Sequence, residues 1–184
     1  MPPRPETSFP PDYRSARKAF IAACTKARAD TISRAHMGRQ GPDGKPVFVD
    51  SVALGPRDAR RGILVIANNA DASSAVTALL QKGVAVPEDM RLVVVHAFDP
   101  FAFMNVPGDP VWSRAMLKAI ATEDLSRVTQ LTVLSFGNAM DELPAIFSPD
   151  RKIRLTCKQV DPPMNAAKIR KTVEAEFARP RRGN

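Results

Sequence analysis

The chain has 184 residues, of which 44% are hydrophobic and 25% charged, a balance that suits one soluble globular domain with its own core. No apolar run approaches the roughly 20 residues of a membrane helix, and the start Met1-Pro2-Pro3-Arg4-Pro5 lacks the apolar stretch of a secretory signal, so no membrane partner and a cytoplasmic location are expected. The net charge of +8 is unevenly spread: residues 1–63 carry 12 basic and 6 acidic side chains, residues 64–150 carry 5 and 10, and residues 151–184 carry 10 and 3.

Residues 1–11 hold five prolines and read as an extended arm. Asp12 is placed to cap a helix over Tyr13–Ala29, with Tyr13, Ala16, Phe20, Ala23 and Ala27 on one face. Thr31–Met37 is strand-like, Gly41-Pro42-Asp43-Gly44 is a turn, and Pro46–Leu54 reads as the returning strand of a hairpin. Ile63–Ala67 is a short apolar strand. Asn68-Asn69 turns the chain into a helix over Ala70–Lys82, with Val76, Leu79 and Leu80 inward and Gly83 at its C-terminal cap. Leu92–Val95 reads as a strand buried on both faces that stops at His96, before a turn at Asp99-Pro100. Met104–Asp109 is irregular, and Pro110 opens a helix to about Glu123. Leu131–Phe136 is another buried strand, ended by Gly137-Asn138. Asp141–Phe147 reads as a short helical turn, and Lys152–Val160 as a half-exposed edge strand. A last helix runs from Asp161 or Asn165 to about Ala178, and residues 179–184 form a basic tail.

Strands alternating with helices from residue 63 onward predict a single α/β domain over 12–178. Its sheet is mixed but mostly parallel, with flanking helices and an N-terminal β-hairpin. Ligands of such sheets bind beyond the carboxyl ends of the strands. That rule singles out His96 and Asp99.

Four local patterns occur in order: Phe9-Pro10-Pro11-Asp12-Tyr13-Arg14-Ser15-Ala16-Arg17, Gly41-Pro42-Asp43-Gly44, Leu54-Gly55-Pro56-Arg57-Asp58-Ala59, and Val95-His96-Ala97-Phe98-Asp99-Pro100-Phe101-Ala102-Phe103. Together they resemble a bacterial zinc carboxypeptidase-like family of uncharacterised function, over roughly residues 9–103. The resemblance implies a zinc carboxypeptidase-like fold and amide hydrolysis by one zinc. The metal would be held by a His-x-x-Glu pair after the first core strand and by a later His. This sequence carries none of these. Asn68-Asn69-Ala70-Asp71-Ala72-Ser73 follows Ile63–Ala67, Asn105-Val106-Pro107-Gly108-Asp109 stands where an Asn-Arg segment is implied, and the third ligand falls near Ser135. The chain reads as a shortened, degenerate member.

The candidate catalytic residues are therefore His96, Asp99 and Ser135. A vacated cleft is bounded by Asn68, Asn69, His96, Asp99 and Ser135 and offers Asn68, Asn69, His96 and Asp99 to a small polar ligand. His96 is expected to hydrogen-bond backbone at its strand end, and Asp99 to cap a turn. His36, at the end of a hairpin strand, reads as a surface residue. Ser73 and Ser74 read as capping residues, and Asp141-Glu142 as a solvated helix start. Cys24 and Cys157 have no metal-ligand spacing and read as buried free thiols. No zinc site and no other cofactor is expected.

The favoured functional reading is a non-catalytic binding or structural module, a pseudoenzyme on a hydrolase scaffold. One alternative is a diverged peptidase- or amidase-like hydrolase using His96 and Asp99. Another is a basic adaptor that docks an acidic protein or nucleic acid through Arg179, Arg181, Arg182 and the final helix. The edge strand over 152–160 offers pairing to a protein partner or a second copy.

Overall fold

The computed structural model describes residues 12–67, 69–136, 152–161 and 165–180. Several expectations lie outside these residues: the Pro-rich arm 1–11, Asn68, the Gly137-Asn138 strand end, the helical turn and acidic pair within 141–147, and the tail beyond 180.

The chain runs α1 (Tyr13–Lys26), β1 (Thr31–Gln40), β2 (Pro46–Leu54), β3 (Arg61–Ala67), α2 (Ala70–Gln81), β4 (Met90–His96), α3 (Pro100–Phe103), α4 (Pro110–Asp124), β5 (Gln130–Phe136), β6 (Arg154–Val160) and α5 (Ala166–Phe177). The six strands form one sheet in the order β1-β2-β4-β3-β5-β6. β1, β2 and β4 pair antiparallel, whereas β3 pairs parallel with β4 and β5, and β5 parallel with β6. This is the expected α/β domain with a mixed sheet and an N-terminal hairpin.

Strand parity sorts the core into two layers. On one face Val52, Ile63, Val65, Leu92 and Val94 pack with Phe20 of α1, Val76 and Leu79 of α2, and Ile169 and Val173 of α5. On the other, Val49, Leu64, Ile66, Val93 and Val95 pack with Leu117 and Ile120 of α4. β2 alternates imperfectly in sequence because it is buried on both sides. Val47 and Val49 face the α4 side, and Asp50 and Val52 the α1 side.

Caps follow local chemistry. The side chains of Asp12, Asn69, Asp109 and Asn165 accept the amides of Ser15, Ala72, Trp112 and Lys168. α1 ends at Lys26 rather than Ala29, because Arg28 enters the left-handed region at φ 56°. Asp99-Pro100 opens the short helix α3 rather than a simple turn, since proline fits the first helical position. β1 continues to Gln40, three residues past Met37, because its last residue still pairs with Pro46 across a bulge. β6 is an edge strand, as expected. Cys157 on it is exposed, not buried, because no further strand covers that side, whereas Cys24 is buried under the sheet.

The charge segregation of the sequence does not survive folding. Arg34, Arg39 and Arg61 of the basic first third reach Glu123, Asp109 and Asp89 of the acidic middle, at 2.5, 3.7 and 3.1 Å.

Candidate functional site

α2 joins β3 to β4 on one face and α4 joins β4 to β5 on the other, so crossovers diverge between β3 and β5. The carboxyl ends of those strands, at Ala67 and Phe136, frame the position where open α/β sheets bind ligands. The residues that follow, 68 and 137–150, lie outside the described chain. The expected site residues can be placed around this point.

His96 ends β4 in phase with Leu92 and Val94, so it faces α1. It is fully buried and stacks on Phe20 at 4.7 Å between ring centres with 25° between planes. Neither ring nitrogen has a hydrogen-bond partner among the described residues. The expected backbone hydrogen bond is absent, because the ring turns inward onto an aromatic surface rather than outward along the chain. Burial chiefly, with the nearby Arg17 cation adding to it, lowers the imidazole pKa to about 3. His96 is therefore neutral under ordinary conditions.

Next to His96 across the antiparallel pair stands Asp50. Its fully buried carboxylate accepts Arg17 Nε at 2.7 Å, Arg17 Nη2 at 3.1 Å and Ser33 Oγ at 2.5 Å. These donors engage both oxygens of Asp50, and His96 makes no hydrogen bond to it. Sequence reasoning passed over Arg17 and Asp50. The available signal was a lone carboxylate in phase with buried Val52.

Asp99 is committed to structure. Its Oδ1 accepts the amides of Phe101 and Ala102, at 3.1 and 3.2 Å. The other oxygen lies so close over Gly108 that a methyl group there would collide with it. The Asn69 side chain is likewise occupied, accepting the Ala72 amide at 2.8 Å. Ser135 is buried in phase with Val133, on the α4 face, opposite to His96. Of the five residues expected to border one cleft, Asn68 lies outside the described residues, Asn69 and Asp99 cap helices, and His96 and Ser135 lie on different faces of the sheet. Nor does Ser73 cap α2; its hydroxyl is buried with no partner among the described residues.

His36 is not a surface residue. It is buried on the α4 face, where its ring lies 4.5 Å from that of Trp112 and 5.2 Å from that of Phe101. The irregular segment after α3 folds over the end of β1, which covers a position that would otherwise be an open edge. His36 Nδ1 accepts the Arg39 amide at 3.2 Å, so Nε2 carries the proton and donates to Asp109 Oδ2 at 2.8 Å. The Asp109 carboxyl is held below its usual range, first by the Trp112 amide and next by His36. Arg39 completes the cluster, 3.8 Å above the Phe101 ring and 3.0 Å from the Pro107 carbonyl. Both ring nitrogens of His36 are used, and no lone pair is left for a metal or a substrate proton.

The family model for a protein of unknown function (DUF2817) matches residues 9–107, more than half of the chain. The chain belongs to the DUF2817 family. No curated protein matches this DUF2817 chain in sequence. Among solved structures it is similar to the glutaminyl cyclase of Porphyromonas gingivalis (10% identity, TM-score 0.43, covering 66% of this chain and 52% of that one). It is also similar to the glutaminyl cyclase of Macrostomum lignano (9%, 0.42, 85% and 67%) and the LapA aminopeptidase of Legionella pneumophila (12%, 0.37, 65% and 34%). The DUF2817 chain spans about half the length of the Porphyromonas cyclase.

The described residues do not fit the zinc centre that the sequence resemblance implies. The chain has two histidines, and they lie on opposite faces of the sheet, one against Phe20 and the other hydrogen-bonded through both nitrogens. Among the described residues no three His, Cys, Asp or Glu side chains converge as a metal site would require.

Proposed function

We propose that this DUF2817 chain is a non-catalytic binding or structural module on a zinc carboxypeptidase-like scaffold. His96 carries the reading. A general base must reach its substrate proton, yet this imidazole is fully buried, neutral, stacked on Phe20 and hydrogen-bonded to no carboxylate among the described residues. Asp99, its partner in a diverged hydrolase, spends its carboxylate on α3 and Gly108. The burial of the His96 ring without a hydrogen bond among the described residues, and the closed hydrogen bonding of Asp99, weigh against that hydrolase and support the structural role.

Metal analysis tests the proposal. After incubation with excess zinc and desalting, the full chain is expected to retain far less than one zinc per molecule, and His96→Leu to change nothing. Stoichiometric zinc that is lost in His96→Leu, together with hydrolysis of a peptide panel, would overturn it.

A further inference from the structure

The opposite edge of the sheet carries a cavity that no hydrolase reading uses. The three parallel strands β3, β5 and β6 begin side by side, with Arg61 in register with Gln130 and Gln130 with Arg154. The end of α5 returns across these starts and brings Glu176 and Arg179 over them. Between them lies a pocket of about 330 Å³, within the range of small-molecule sites. Arg61, Arg154 and Arg179 line it, with Glu176, Thr132 and Thr156.

Charge decides what such a pocket can take. Glu176 is buried, and its two oxygens serve Lys158, Arg179 at 3.2 Å and the Thr132 hydroxyl at 3.4 Å. One carboxylate thus holds two cations. Arg61 is balanced by Asp89 at 3.1 Å and steadied by the Arg179 carbonyl at 2.7 Å. Arg154 makes no ion pair among the described residues. Four cations against two carboxylates leave an excess of two positive charges in a concavity, where low-dielectric walls strengthen the field. Two of the guanidiniums are already positioned by the fold, so little side-chain entropy remains to be lost on binding. The Thr156 hydroxyl adds an uncharged donor, and Met90 and Leu131 supply an apolar wall.

The geometry points to a binding site for a small molecule bearing a compact dianion, a phosphate ester or a dicarboxylate, at the amino ends of β3, β5 and β6. The pocket exceeds the size of a bare ion, and its apolar wall would hold the rest of the ligand. The site is independent of what happens beyond the carboxyl ends of the strands.

Titration of the isotopically labelled full chain, at constant ionic strength, tests this. Inorganic phosphate in one arm and succinate in the other identify the source of the dianion. Saturable amide shifts are expected at residues 61, 130–132, 154–156 and 176–179 in at least one arm. Arg154→Ala, an exposed substitution, is expected to weaken binding about tenfold, the loss of one charge-assisted contact. An unchanged thermal midpoint for that variant shows that the fold is intact. Shifts that do not saturate in either arm, or that are the same in Arg154→Ala, would overturn the site.

Discussion

His96→Leu is expected to stabilise the protein. Leucine has nearly the volume of the imidazole and leaves no polar atom buried. In the native protein its two ring nitrogens lie fully buried without partners among the described residues. Each such atom costs about 1–3 kcal/mol. The lost stack on Phe20 is worth about 0.5–1.5 kcal/mol in the other direction. A net gain of about 0.5–5.5 kcal/mol at pH 8 follows for the two nitrogens together, at roughly 2–4 °C in thermal midpoint per kcal/mol for a domain of this size. The gain should also depend on pH. The folded pKa of about 3 lies below the usual 6.5, so the unfolded chain takes up the proton first as the pH falls. The native state is then penalised between pH 6.5 and about 3, by at most about 1.4 kcal/mol per unit. Leucine removes that penalty, so its advantage should widen from pH 8 to pH 5. Urea unfolding at both pH values measures it. A variant less stable than the parent at pH 8, or a gap that does not change with pH, would refute the burial argument.

Two further outcomes follow from the same packing. Arg17→Ala leaves the fully buried Asp50 carboxylate with Ser33 alone and should cost about 3 kcal/mol in urea unfolding, the low end for a broken buried pair because Arg17 itself is partly exposed. Adding Asp50→Ala to Arg17→Ala should cost less than Asp50→Ala does in the parent, and strict additivity would refute the pairing. Thiol labelling should modify one cysteine in the native chain and two after unfolding, since Cys157 is exposed and Cys24 buried. Burial raises the Cys157 thiol pKa, so labelling should accelerate between pH 7 and 9, and a native stoichiometry of zero or two would contradict the fold.

Elements whose signals are local were legible in the sequence. Pro46–Leu54 is a strand over that span, Asp12 and Asn165 cap the first and last helices, Pro110 opens α4, and Gly41-Pro42-Asp43-Gly44 turns the hairpin. Side-chain fate was legible only where its determinants were close in sequence. His36 reads as exposed from its own strand, but Asp109 and Trp112, more than seventy residues later, cover it. The basic cavity brings together Arg61 and Arg179, 118 positions apart. His96 is the intermediate case. Its place at the end of a buried strand is local, and its phase with Leu92 and Val94 already assigns it to the inner face. Only the arrival of Phe20, and the capture of Asp50 by Arg17, make it neutral and unpartnered.

The two edges of the sheet differ in how much bonding capacity they leave unspent. At the carboxyl edge the described polar groups are turned back on the protein: Asp99 and Asn69 on helix amides, Asp50 on Arg17 and Ser33, His36 on Asp109 and Arg39. A donor or acceptor already satisfied within the fold gains little by turning to a ligand, because it exchanges one hydrogen bond for another. His96 is unsatisfied, but it is sealed from solvent behind Phe20 and has no route to a ligand in this arrangement. At the amino edge the sum is different. Arg154 has no counter-ion among the described residues, and Glu176 is shared between Lys158 and Arg179, so these carboxylates do not cancel the field of the cavity. Binding free energy comes from interactions that folding leaves unmade, and among the described residues the amino edge holds the larger share of them.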